Sequence, residues 1–291
     1  MKKFINILIY FTVFFIFSIS SNAQNNALIF DKSLDDFSYA ISMTSDPKGF
    51  IFVLDNESCE IIKLTGSLTE VKRSGKKGWD NGEFFSPTNI DCSTGLSLYV
   101  ADKKNGRIQN FDLNLGFTNA VITDMESLDP KYRCRFPVAS IILNTKDLYV
   151  VDEDNPKVVV FESSVNPVSY FASYQSGSDA LIMPSKIAKD SRNILYILDK
   201  QKNAILKYDN FGSYISSITT DSIKAMTITK NILYIISGDY LLYYNVDGNA
   251  YTNKIYLPGT LNRNEITDIL VTNTNKIYVL EKTKISSFII K

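Results

Sequence analysis

The chain has no histidine among its 291 residues, and this one absence removes several kinds of chemistry at once. Imidazole exchanges a proton near neutral pH, is a common nitrogen ligand of zinc and is the base that activates serine in Ser–His hydrolysis. Histidine-dependent zinc lyases, histidine-based quinoprotein dehydrogenases and Ser–His hydrolases are therefore excluded. Chemistry built on calcium survives, because calcium needs only oxygen ligands from Asp, Glu and Asn. An excess of positive charge is missing as well, since 31 Lys and Arg face 31 Asp and Glu. Phosphate recognition leans on clustered cations, so no nucleic-acid partner is expected. Helical periodicity is the third absence. Beyond residue 23 no stretch places apolar side chains at a convincing helical spacing, which directs the reading toward strands.

What the chain has instead is a short phrase repeated six times. The copies are Ile51-Phe52-Val53-Leu54-Asp55, Leu98-Tyr99-Val100-Ala101-Asp102, Leu148-Tyr149-Val150-Val151-Asp152, Leu195-Tyr196-Ile197-Leu198-Asp199, Leu233-Tyr234-Ile235-Ile236-Ser237 and Ile277-Tyr278-Val279-Leu280-Glu281. Their last residues are spaced by 47, 50, 47, 38 and 44 positions. Before each lies a second apolar stretch, opened by proline at Pro87, Pro137 and Pro184; after each, beyond a polar turn, lies a third, ending in an aromatic in five copies. We call these strands a, b and c. Proline fits the first residue of a strand, where no ladder donor is needed. The near-continuous apolar run of strand b implies burial on both faces. A repeat of this length made of short strands is what a β-propeller requires, because one small sheet cannot bury both faces alone. The expected fold is all-β: a six-bladed β-propeller of four-stranded antiparallel blades.

One copy carries more than strands. Gly75-Lys76-Lys77-Gly78-Trp79-Asp80-Asn81-Gly82-Glu83-Phe84-Phe85-Ser86-Pro87, then Ile90, the Leu98–Asp102 phrase, Asn105-Gly106-Arg107-Ile108-Gln109 and Phe111-Asp112 together resemble one complete NHL repeat. The other five copies keep the strands and lose most of the polar signature. At the level of its period the resemblance covers the chain after residue 23 and implies a bacterial NHL-like propeller. Closure follows from the strand count. The last copy ends at Lys291 directly after strand c, while Ala27 to Phe30 is an apolar strand standing before the first blade. This N-terminal strand is expected to complete the last blade, leaving no unpaired edge there.

Met1-Lys2-Lys3, an apolar run from Phe4 to Ile19 and Ser21-Asn22-Ala23 read as a secretory signal peptide over residues 1–23, cleaved after Ala23. The rival reading, a membrane anchor, needs about 20 apolar residues to span, and no cysteine follows Ala23 to carry a lipid. Residues 24–291 then form a single propeller domain with no membrane span. The Ser-Asn-Ala-Gln ending resembles exported proteins of Gram-negative envelopes, so a periplasmic or cell-surface location is expected. Three cysteines in an oxidising compartment would suggest a disulfide, but Cys59, Cys92 and Cys134 fall in three different blades. Three free or buried thiols are expected.

The candidate site comes from the loops. Asp55, Asp102, Asp152 and Asp199 each end a strand b. Their regular recurrence favours acceptors for turn N–H groups over a ring of metal ligands, and Arg107 is expected to brace its own blade through Asp102. No cofactor or metal is expected. Two long loops share the rim of the b–c turns: Ser74 to Ser86, with Lys76, Lys77, Trp79, Phe84 and Phe85, and Thr123 to Phe136, with Tyr132, Arg133 and Arg135. Trp, Tyr and Arg are enriched at interface hot spots. Lys76, Lys77, Trp79, Phe84, Tyr132, Arg133 and Arg135 are the candidate partner-binding residues, with Trp79 and Arg133 foremost; Phe85 and Phe136 are expected to turn inward. The reading is a non-enzymatic propeller docking on a protein of the cell envelope, for example as a capping, plugging or scaffolding subunit of an outer-membrane complex such as a type 9 secretion translocon. Two alternatives stand: a calcium-dependent lactonase-like hydrolase, and glycan or peptide binding through Tyr240, Tyr243, Tyr244, Tyr251 and Tyr256.

Overall fold

The structure, a computed structural model, describes residues 27–143, 146–248 and 250–291; the expected signal peptide, residues 1–23, lies outside them. Among the described residues, six antiparallel sheets of four strands follow one another along the chain. Strand b is Ile51–Asp55, Ser97–Asp102, Leu148–Asp152, Leu195–Asp199, Ile232–Ser237 and Lys276–Glu281 in blades one to six. Strand a is Ala40–Ser45, Pro87–Asp91, Pro137–Ile142, Pro184–Lys189, Ile223–Thr229 and Ile266–Val271. The three prolines thus open their strands, and in every blade the a–b register slips once, directly after the first residue of strand a. No helix among the described residues is long and apolar enough to cross a membrane.

Burial on both faces of strand b explains its sequence. In blade one, Ile51 and Val53 join the apolar cluster of Leu270, Tyr278 and Leu280 from blade six. Their alternate neighbours Phe52 and Leu54 join Ile90, Leu98 and Val100 of blade two. Blade four repeats this, with Leu195 and Ile197 facing blade three and Tyr196 and Leu198 facing blade five. A strand of period two whose two faces meet two different blades has no polar face to show. The outer strands contrast with it: Glu70–Ser74, strand d of blade one, is mostly exposed.

The ring closes as the strand count requires. Strand Leu28–Leu34 pairs with Ile285–Ile290, giving the last blade its fourth strand. Ala27 and Lys291 exchange both backbone hydrogen bonds at 3.1 and 3.0 Å. The strand runs four residues beyond the expected Phe30, past a register slip between Phe30 and Lys32. Blade five, the shortest repeat, forms all four strands. Cys59, Cys92 and Cys134 are free and buried.

Candidate interaction face around the channel mouth

The residue that ends strand b has the same task in every blade. Its side chain accepts a backbone N–H from the loop that enters strand a of the same blade. Asp55 takes Tyr39 N, Asp102 takes Phe85 N at 2.7 Å, Asp152 takes Phe136 N at 3.0 Å, Asp199 takes Ile182 N at 2.6 Å, Ser237 takes Ser222 N and Glu281 takes Asn262 N at 2.7 Å. Asp55, Asp152 and Asp199 also accept N–H groups of their own b–c turns. The carboxylates therefore tie the rim together, and the expected structural role holds. Burial pushes the Asp102 and Asp152 carboxyls above the usual aspartate range, opposed by these same N–H donors.

Blade two shows what the complete signature does. Asp102 Oδ2 accepts from Arg107 Nε at 2.8 Å, Asn105 Nδ2 at 2.8 Å and Gln109 Nε2 at 3.0 Å. Those three side chains then reach into the loop before strand a. Arg107 Nη2 donates to the carbonyls of Asp80 and Glu83, both at 2.9 Å, Asn105 Nδ2 to that of Gly78, and Gln109 Nε2 to that of Glu83. Arg107 thus braces its blade through Asp102, as expected, and the signature polar residues hold one loop rigid. Gly75 opens that loop at φ +114°, where an added Cβ would meet the Cys59 carbonyl oxygen at 2.6 Å. Ser86 ends it at φ 58°, a left-handed conformation unusual for a non-glycine residue before proline.

The loop presents Trp79 to solvent at 72% exposure. Its ring meets Phe85 edge to face with centroids 5.7 Å apart, and Lys77 and Lys104 approach the Phe85 ring at 5.4 and 4.8 Å. Lys76 is exposed and paired with Glu83 at 2.9 Å. Phe84 corrects the sequence reading: it is fully buried against Phe111 in the core between blades one and two and cannot contact a partner. The cause is local. Phe84 N and O bond Lys76 and Gly78, and this small bridge turns the Phe84 ring inward. Phe85, expected inward, is half-buried on the rim instead.

In the second loop, Arg133 is committed to Asp124 through Nε at 2.8 Å and Nη2 at 2.6 Å. Tyr132 packs on Tyr170 and donates to the Val168 carbonyl at the outer edge of blade three. Arg135 is the exposed cation, lying over the Phe136 ring at 5.4 Å with Asp154 no nearer than 4.0 Å. Phe136 is half-buried, and Lys103 approaches its ring at 5.8 Å. A third pair, Tyr39 with Lys282 at 5.6 Å, occupies the matching place in blade one. Sequence reasoning missed this recurrence of an aromatic under a cation in blades one to three. Its signal was the aromatic just before strand a, at Tyr39, Phe85 and Phe136.

Among the described residues no group of three or more His, Cys, Asp or Glu stands close enough to hold a metal ion. The tyrosines of blade five are used within their own sheet: Tyr240 meets Tyr256 and Tyr244 meets Tyr251 as edge-to-face cross-strand pairs, and Tyr243 is buried on Tyr234.

Fold and rim define a six-bladed β-propeller in which blade two alone carries the complete polar signature. It is similar to a streptogramin B lyase structure, at TM-score 0.60 and 13% identity over 92% of this chain and 99% of that one. It is similar also to a catalytically inactive histidine-to-alanine variant of virginiamycin B lyase from Staphylococcus aureus with quinupristin, at TM-score 0.59 and 11% identity over 91% and 98% of the two chains. A nidogen/laminin complex matches at TM-score 0.57 and 15% identity over 76% of this chain and 81% of that one. At these identities the likeness is one of fold. No protein-family model matches the chain, and no curated protein matches it.

Proposed function

We propose that this propeller is a non-enzymatic docking module that uses its b–c rim to hold a protein partner in the cell envelope. The observation that carries the reading is Trp79. It is a large apolar side chain left in solvent on a loop that Arg107, Asn105 and Gln109 hold rigid. A rigid exposed aromatic loses little freedom on binding, and Trp and Arg are the residues that most often dominate interface energetics. On the same rim Lys77 and Lys104 lie over the Phe85 ring that Trp79 touches, and Arg135 lies over Phe136, cations that can meet carboxylates of a partner. The nidogen/laminin complex supplies a protein-bound example of a related fold. Against the lyase chemistry of the other similar structures stands the missing histidine, because the virginiamycin B lyase variant is inactive for want of one. With the export signal expected from the sequence, the partner is an outer-membrane complex that the disc caps, plugs or scaffolds, a type 9 secretion translocon being the specific case we favour.

The test is purification of the tagged protein, expressed at native level, from mild-detergent envelope extracts, followed by mass spectrometry. A stoichiometric outer-membrane partner is expected with the native protein and is lost with Trp79→Ala plus Arg135→Ala. Arg135 replaces Arg133 in this design because Arg133 is engaged by Asp124. A monomer that emerges alone, or a partner retained by the double variant, overturns the reading.

A further inference from the structure

The channel has two mouths, one balanced in charge and one basic. On the side away from the docking rim, a cavity of about 510 Å³ is lined by Asp46, Asp91 and Asp190 together with Lys186, Lys189 and Lys230. On the b–c side, a cavity of about 400 Å³ is lined by Lys103, Lys186, Lys200, Lys224 and Lys282, against only Glu153 and Asp268. In a chain with equal numbers of acidic and basic residues, five lysines around one small opening are a local concentration of charge.

Pairing decides which of them are available. Lys186 is bonded to Asp268, Lys103 to Glu153, and Lys282 to Glu265 at 3.1 Å. Lys200 and Lys224, from adjacent blades four and five, have no described side-chain partner. Blade five is also where the acidic rule of the rim breaks: strand b ends in Ser237 in place of a carboxylate, and Gly238 follows. Lys224 therefore sits in the blade that lacks this acid, and Lys200 follows Asp199, whose carboxylate is taken up by the backbone N–H groups of Ile182, Met183 and Lys202. Tyr39, Val138 and Met183 give the same opening apolar wall, and its volume lies within the range of small-ligand sites.

We propose that the b–c mouth is a binding site for a compact oligoanion, a small molecule bearing two or more carboxylate or phosphate charges, with Lys200 and Lys224 as its primary contacts. Lysine offers point charges on flexible stems, so the site selects charge number and size over planar geometry. Lys186 is held by Asp268 at the floor, so a ligand meets its outer partners first. The site is separate from Trp79 and stands whether or not the docking reading does.

Isothermal titration at low ionic strength with citrate and with pyrophosphate, and with acetate as the single-charge control, tests it on the full mature chain. Saturable binding of at least one oligoanion, tighter than acetate, is expected. It weakens with added salt, and about tenfold or more in Lys200→Gln plus Lys224→Gln, as the loss of charge-assisted hydrogen bonds predicts. Lys230→Gln at the opposite mouth leaves it unchanged. Both variants replace lysines that are not buried, and a thermal melt coincident with the native one shows that they fold. The tighter of the two ligands identifies the charged group. Binding of neither, equal binding by the double variant, or equal loss in Lys230→Gln overturns the proposal.

Discussion

Burial separates Phe84 from Trp79 although one loop carries both. Phe84 fills the core between two blades beside Phe111, so Phe84→Ala removes a buried ring and leaves a cavity, at a cost of about 3–5 kcal/mol. Trp79 is 72% exposed and touches Phe85 by one edge, so Trp79→Ala should change stability by no more than about 0.5 kcal/mol. Urea denaturation of the two variants checks this, and equal costs would mean that Phe84 does not fill the core between the blades. The cysteines make a second residue-level case. Burial pushes the Cys92 thiol up to about 12 and the Cys134 thiol up well beyond its ordinary value, with Cys59 raised in the same direction. Thiolate is the reactive form, so an aromatic disulfide reagent should label none of the three in the native protein near neutral pH and all three in denaturant. Rapid native labelling would place a thiol in solvent.

The closing strand Leu28–Leu34 is the element on which the ring depends. Asp31 joins it to its neighbours through Lys276 at 2.8 Å and Ser287 at 3.0 Å, and Lys276 continues to the Gly66 carbonyl of blade one. These hydrogen bonds, that of Lys276 first, hold the Asp31 carboxyl below the usual aspartate range. A lowered folded pKa adds stability that is fully present above the unfolded value, near about 3.9, and is lost as pH falls through the folded one. Asp31→Asn should therefore cost under about 1 kcal/mol at neutral pH, because the pair is partly exposed and screened. That difference should vanish on acidification, which stability measured along a pH series would show; a difference that grew toward low pH would contradict it. The strand itself was legible because its apolar residues precede the first repeat and the last repeat lacks a partner. Strand b was legible because its apolar runs, each closed by a polar residue, are too short for helices and fit strands packed on both faces. Phe84 was not, since its inward turn comes from the bridge that pairs it with Lys77 through the Lys76 carbonyl and the Gly78 N–H, and a run of Gly, Lys and Phe does not reveal one. Nor was the commitment of Arg133 to Asp124, a contact made across the fold of its own loop.

At the scale of the whole molecule, the six inner strands bring together side chains that lie far apart in sequence. Lys186 of blade four and Asp268 of blade six are 82 residues apart and meet across blade five. Asp268 also accepts from Met43 N at 2.9 Å and Ile269 N at 2.8 Å, while Asn89 Nδ2 donates to Ser42 Oγ at 3.3 Å. Lys186 and Asn89 line both cavities, so this polar cluster divides the channel into its two mouths. Nothing in a single repeat announces it, because the four blades involved each contribute one polar side chain, Ser42, Asn89, Lys186 or Asp268, among apolar ones. A buried ion pair is a weak source of stability when compared with an apolar pair, yet removing one partner strands the other charge. Asp268→Leu alone should cost about 3–5 kcal/mol, since it leaves Lys186 and the Met43 N–H without their acceptor. The double change Lys186→Met with Asp268→Leu should recover a large part of that loss and open no new charge to the interior. A urea-denaturation double-mutant cycle measures the coupling directly. Additive costs would mean that the pair acts as two independent polar groups and that the ring is not fastened at its axis.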